Sequence, residues 1–249
     1  MSTLLAFNLT SDFIASTTGA DITTGVVTSA SSALGSFTRG NNSYASDPVG
    51  SAGPATGATN ASLAITAESY LFVTINPLLG KQMSLTNFQI KLTRGGASTP
   101  RGYDIRSSVD DYAVTLGTAD LATSRTDHTW TNVDIDLSDA AFQNQVSPIT
   151  FRVYIYAPST VNVVDWDDLT ILGTTADSGT VEQEGFRFRN DDGNETNATW
   201  LAAQDTDITQ PKSTNTRIRV LLNGTLDRGS EDYRLEFREV GGTTWTPIA

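Results

Sequence analysis

Apolar side chains return at every second position in many short runs along this chain: Leu71, Val73 and Ile75; Phe88, Ile90 and Leu92; Val133, Ile135 and Leu137; Phe151, Val153 and Ile155; Leu169 and Ile171. A period of two is that of a strand with one face against a core. The turn-forming clusters Asn76-Pro77, Gly95-Gly96 and Ala157-Pro158-Ser159 separate the runs. The pattern therefore predicts an antiparallel sandwich rather than βαβ units. Only Ser138 to Phe142 reads as helical, about one turn behind a capping serine, so very little helix is expected.

Residues 15–62 break this rhythm, being dominated by Ser, Thr, Gly and Ala with few large apolar side chains. Such a segment holds only thin strands and long loops; it is either a surface loop or a segment that orders against a partner. A second small, polar stretch, Gly173 to Gly179, has the composition of an interdomain connection. Beyond it Phe186 and Phe188 alternate with Arg187 and Arg189. Ile218, Val220 and Leu222 alternate with Arg217 and Arg219, and Tyr233, Leu235 and Phe237 with Arg234, Glu236 and Arg238. Each of these strands has one apolar and one charged face. Gly241-Gly242 predicts a hairpin turn of type I′, which needs positive φ at both central residues. Residues 181–249 arranged this way predict a small immunoglobulin-like sandwich.

Charge and composition narrow the function. With 28 acidic against 16 basic residues the net charge is -12, which repels nucleic-acid phosphates, and no basic cluster reverses it locally. No nucleic-acid partner is expected. No apolar run approaches the roughly 20 residues of a membrane span, and the start, Met1-Ser2-Thr3-Leu4-Leu5-Ala6, lacks the basic and long apolar regions of a signal peptide. Neither membrane insertion nor export is expected. The absence of cysteine removes disulfides, thiolate chemistry and thiolate zinc cages. The one histidine, His128, sits in a polar loop before a strand, and no nucleophile elbow or P-loop is present. The chain is therefore expected not to be an enzyme.

Two stretches carry resemblances. Tyr103-Asp104-Ile105-Arg106-Ser107-Ser108-Val109-Asp110, Val133-Asp134-Ile135-Asp136-Leu137-Ser138, Ala141-Phe142-Gln143-Asn144, Thr150-Phe151-Arg152-Val153-Tyr154 and Asp167-Asp168-Leu169-Thr170-Ile171 together resemble a jelly-roll module of bacterial surface proteins and carbohydrate-binding modules. Glu182 to Gly193, Thr199 to Asp205 and Tyr233 to Arg238 resemble a repeat of tailed-bacteriophage structural proteins, and Leu235 to Arg238 with Trp245 resembles, less specifically, a fibronectin type III hairpin. The implied fold is all-β: an antiparallel jelly-roll sandwich over 1–173, a linker over 174–180 and an immunoglobulin or fibronectin III-like β-sandwich over 181–249. The implied function is that of a virion structural protein, a capsid decoration or cement protein on the head of a tailed phage. Its partners would be the major capsid protein, other virion proteins and further copies of itself. It would be assembled in the host cytoplasm and displayed on the virion surface. The alternative is a tail-fibre or adhesion protein, or a free carbohydrate-binding module, with surface glycans as partners.

The same resemblances name candidate sites. In carbohydrate-binding jelly rolls an acidic residue of the last strand often helps to hold a structural calcium. Asp167, which alternation places on the face of Leu169 and Ile171, and Asp165 are the candidates here, against the plainer reading of hydrogen-bonded or exposed carboxylates. No other cofactor is expected. For sugar stacking the candidates are Tyr154, Tyr156, Trp130 and Trp166. Tyr154 and Tyr156 lie on the opposite face of their strand from Phe151, Val153 and Ile155, which makes that face an interface or ligand platform.

Overall fold

The computed structural model describes residues 2–7, 9, 13–23, 28–29, 34–41, 48–124, 129–179, 181–194, 196–197, 199–224 and 234–247. His128 lies outside them. Packing divides the chain into two units, 1–176 and 177–249.

In the first unit the elements follow in order as β1 (Ser2–Phe7), the short pieces β2 (Thr17–Thr18), β3 (Ile22–Thr23) and β4 (Thr28–Ser29), β5 (Ser36–Asn41), β6 (Pro48–Gly53), α1 (Ala61–Thr66), β7 (Tyr70–Pro77), β8 (Lys81–Arg94), β9 (Gly102–Ser107), β10 (Gly117–Asp120), β11 (Thr131–Asp136), β12 (Ile149–Tyr156) and β13 (Val164–Asp177). One sheet has the order β11-β8-β13-β1-β2, with β6 against β13 and β5 against β6; the other has β10-β9-β12-β7-β3, with β4 against β7. Counting only β1 and β7 to β13, the first sheet reads first, eighth, third, sixth, and the second reads second, seventh, fourth, fifth. That winding is the jelly roll, in which the chain alternates between two sheets.

The period-two residues are the reason for it. Leu71, Val73, Ile75, Phe88, Ile90, Leu92, Val133, Ile135, Phe151, Val153, Ile155, Leu169 and Ile171 all point into one core between the sheets. Phe88 of β8 meets Phe151 of β12 across that core with ring centroids 5.0 Å apart. Branched and aromatic side chains fill a pleated, two-sided interior well, and their burial is the main term holding the sheets together.

Three local expectations change. The one-turn helix is a 3-10 turn over Ala140–Phe142, capped by Asp139 rather than by Ser138; Asp139 accepts from the Ala141 amide at 2.9 Å. A true helix, α1, forms instead at the end of the small-residue stretch, where the Asn60 side chain accepts from the Leu63 amide at 3.0 Å. The expected linker at 174–180 begins as strand: β13 runs to Asp177, and Gly173 presses so close to β8 that a Cβ there would lie 2.3 Å from the Ser84 carbonyl oxygen. Gly173, just before that stretch, serves close strand packing rather than flexibility.

The second unit contains β14 (Val181–Asn190) paired antiparallel with β15 (Thr216–Gly224), and β16 (Glu236–Phe237) paired antiparallel with β17 (Thr246–Pro247). It is all-β, as alternation implies. Phe186 stands opposite Val220 and Phe188 opposite Ile218 on one face, while Arg187 and Arg189 stand opposite Arg219 and Arg217 on the other. The turn between β16 and β17 is not type I′ over the glycine pair. The Gly242 amide bonds the Glu239 carbonyl at 2.9 Å, and of the two residues it encloses only Gly241 has positive φ, at 82°. That leaves Val240 in ordinary backbone space, as a single left-handed glycine permits.

Candidate functional surfaces

The expected aromatic platform on β12 is covered. Tyr154 and Tyr156 do face away from the main core, but they are 3% and 5% exposed, because residues 55–67 lie across them. Ala55, Ala58 and Ala64 pack on Tyr70, Tyr154 and Tyr156 in a second, smaller core. The segment is pinned by the Ser69 hydroxyl, which donates to the Ile155 carbonyl at 2.9 Å and accepts from the Ala55 amide at 2.9 Å. Small side chains let the backbone settle on the rings, so a stretch poor in large apolar residues still buries three tyrosines.

The other aromatic candidates are dispersed. Trp166 is fully buried in the main core, stacked near Phe13 and Phe37, and is no platform. Trp130 is half-buried just before β11, on the other sheet from Tyr154 and Tyr156. The four residues do not form one site.

Nor do the carboxylates form a calcium cage. Asp168 has a left-handed backbone, φ 46°, and this inserts an extra residue into β13 between inward-pointing Trp166 and Leu169. Asp167 therefore leaves the face of Leu169 and Ile171 and stands outward, where its carboxylate accepts from the Asp168 amide at 2.8 Å. Asp165 is fully buried, directly opposite Ser51 of β6, and accepts the Ser51 hydroxyl. Among the described residues no three acidic or histidine side chains gather around one point. Calcium needs six to eight oxygens, and these residues do not fit it.

The outer face of the first sheet is instead a polar groove of about 420 Å³ lined by Gln89, Lys91, Asn132, Asp134, Asp168 and Thr170 with neighbouring backbone. Its side chains are mutually bonded: Asn87 and Gln89 donate to the two oxygens of Asp134 at 2.9 and 3.1 Å, and Lys91 donates to Asp168 at 2.5 Å. The Asp168 hydrogen bond raises the Lys91 ammonium above its usual value. Of these positions Asn87, Gln89, Lys91, Asn132 and Asp134 are outward residues legible from alternation in β8 and β11.

A second recess, of about 270 Å³, opens on the other sheet beyond α1, lined by Tyr70, Phe72, Tyr112, Thr150 and Arg152. Arg152 sits directly opposite Arg106 of β9 and Phe72 of β7. Alternation in β12 marks Arg152 as outward, but nothing in the sequence marks Tyr112, which comes from the turn after β9.

Burial of the tyrosines has a measurable consequence. Burial pushes the hydroxyls of Tyr70, Tyr103 and Tyr156 above the ordinary tyrosine range; for Tyr156 the bond it donates to Asp120, at 2.6 Å, adds to the effect. Unfolded, the same groups ionise at about pH 10. A pKa raised by folding means stability that is full below pH ~10 and is lost as pH climbs past it. In an alkaline titration followed by tyrosinate absorbance, these three of the seven tyrosines should ionise only together with loss of the β-sheet circular dichroism. Ionisation of all seven before unfolding would contradict the burial.

In the second unit the apolar face of β14 and β15 is partly open: Ile218 is 39% and Leu222 47% exposed, while Phe186, Phe188 and Val220 are half-buried; on the other ribbon Phe237 and Trp245 are 50% and 56% exposed. On the opposite face Trp200 packs against two guanidinium groups, with Arg187 4.2 Å and Arg219 5.3 Å from its ring centroid.

No protein-family model and no curated protein sequence matches this chain. Among solved structures it is similar to the K3 cleaved adhesin domain of Lys-gingipain from Porphyromonas gingivalis W83, at 12% identity over 51% of this chain and 74% of that one, with a TM-score of 0.32. No helix among the described residues is long and apolar enough to cross a membrane.

Proposed function

We propose that this chain is a non-enzymatic structural protein of a virion, a decoration or cement protein on the head of a tailed bacteriophage. The observation that carries the reading is the apolar strip of the second unit, Phe186, Phe188, Ile218, Val220 and Leu222 on one face of a two-stranded ribbon, in which Ile218 and Leu222 are exposed and the rest half-buried. A contiguous exposed apolar surface marks an interaction site. A subunit of the capsid shell is the partner this reading assigns to it, with further copies of the chain alongside on the lattice. The first unit has a closed core and an acidic chain around it, properties suited to the outward, solvated side of a particle.

The test is mass spectrometry of purified particles joined to a low-resolution particle reconstruction, with and without the chain. Hundreds of copies on the head lattice are expected. A few copies at the tail tip would favour the fibre reading, and absence from particles would sink both.

One observation favours the second reading, a glycan-binding adhesion module. The polar groove on the first sheet presents amide, ammonium, carboxylate and hydroxyl groups along about 420 Å³, a set suited to the hydroxyls of a sugar chain.

A further inference from the structure

Arg152 is a half-buried guanidinium in a chain of net charge -12. Its polar bond is one from Nη1 to the Tyr154 hydroxyl oxygen at 3.2 Å, and its Cζ lies 4.3 Å from the centre of the Tyr70 ring and 3.6 Å from that of Tyr112. Among the described residues no carboxylate pairs with it. Asp104, on the neighbouring strand β9, is engaged elsewhere: one oxygen takes the Arg106 Nε at 2.8 Å and the other takes the Thr115 hydroxyl at 3.0 Å.

The surroundings of Arg152 are built rather than incidental. Arg106, directly opposite, also donates to the Tyr112 and Ala113 carbonyls at 2.9 and 3.0 Å and to the Thr115 hydroxyl at 3.0 Å, which fixes the turn after β9. In that turn two consecutive residues that are not glycine, Asp111 and Tyr112, hold φ of 56° and 61°. Left-handed backbone of this kind is strained for residues that carry a side chain. The result is that the Tyr112 ring is held beside Arg152. Thr150 and Thr74, whose hydroxyls are 2.8 Å apart, stand next along the same face.

A partly buried cation calls for an anion. A planar carboxylate matches the free fork of a guanidinium with two parallel hydrogen bonds, which a single-point cation cannot offer. The half-buried Tyr112 ring and the Thr150 hydroxyl beside the fork suit the ring face and hydroxyls of a sugar. The recess of about 270 Å³ is of the size to hold one sugar residue of a chain, not a folded partner. We propose that this recess binds the carboxylate of a uronic-acid residue in an acidic polysaccharide. It uses the first unit alone and does not depend on how the second unit attaches.

The full chain should be titrated by calorimetry with a short oligogalacturonate, a neutral oligoglucose of equal length, and inorganic phosphate. The oligouronate should bind, and weaken as salt is raised; the neutral sugar should not. Arg152→Gln and, separately, Tyr112→Ala should each weaken it by about tenfold or more, the scale of a charge-assisted contact, and Arg152→Lys should restore only part. Tyr112 lies outside the sheets, so its variant decides the matter if Arg152→Gln disturbs folding. Failure of the wild-type chain to bind the oligouronate, or equal affinity in both variants, overturns the proposal. So does equal binding of the neutral sugar. Phosphate displacing the oligouronate at equal concentration would make this a bare oxyanion site and overturn the saccharide assignment.

Discussion

Trp166→Ala should cost the first unit about 3–5 kcal/mol, a large part of the 5–15 kcal/mol that holds a typical domain together. The indole is fully buried where β13 crosses the core, with the ring of Phe13 at 5.6 Å and that of Phe37 at 6.4 Å, nearly parallel to it. Removing it leaves a cavity between strands that cannot all collapse, because β6 is held against β13 by backbone pairing from Val164 to Trp166. The opposite change is just as informative. A Cβ on Gly50 would lie 2.1 Å from the indole Cε2, so Gly50→Ala should also destabilise strongly. The two substitutions relieve one another: in the Trp166→Ala background the Gly50→Ala methyl enters vacated space, and its cost should fall towards zero. Urea midpoints of the two single variants and the double variant measure that coupling. Simple additivity would mean that the ring does not rest on Gly50. The indole Nε1 has no hydrogen-bond acceptor among the described residues, so Trp166→Phe forfeits area but no polar partner, and should cost far less than alanine.

Where one face of a strand is buried, the sequence carries the answer plainly, and β7, β8, β11 and β12 follow its period of two. What alternation misses has two physical causes. The first is a local change of count: the extra residue at Asp168 reverses which side Asp167 occupies, and a period-two argument run through a bulge assigns the wrong face from there on. The second is coverage by an unrelated segment. Tyr154 and Tyr156 are on the side of β12 that alternation assigns to them, but whether that side meets water depends on residues 55–67, whose alanines give no amphipathic signal. Arg152, two residues before Tyr154 on the same side, stays accessible only because that cover ends short of it. Tyr112 reaches it through left-handed backbone that no residue preference announces, since neither aspartate nor tyrosine there is replaced by glycine.

Ile218→Glu combined with Leu222→Glu should lower attachment of the chain to particles by roughly a hundredfold or more, since two apolar anchors at the centre of an interface are worth about 2 kcal/mol each. Both side chains are already 39% and 47% exposed on the isolated chain. Charging them therefore removes little internal packing, and the melting of the first unit should not move. The arginine face supplies the control. Arg217, on the other side of the ribbon, pairs with Asp191 at 2.6 Å and is half-exposed; an exposed ion pair contributes well under about 1 kcal/mol, so Arg217→Gln should leave attachment nearly unchanged. Depleted particles re-decorated with each variant, with bound copies counted by mass spectrometry, give the comparison directly. If the glutamate pair binds the head lattice as well as the parent chain does, the apolar strip is not the attachment face. Should the pair alter only self-association in solution, the strip joins copies of the chain to each other, and its contact with the shell must be sought on the first unit.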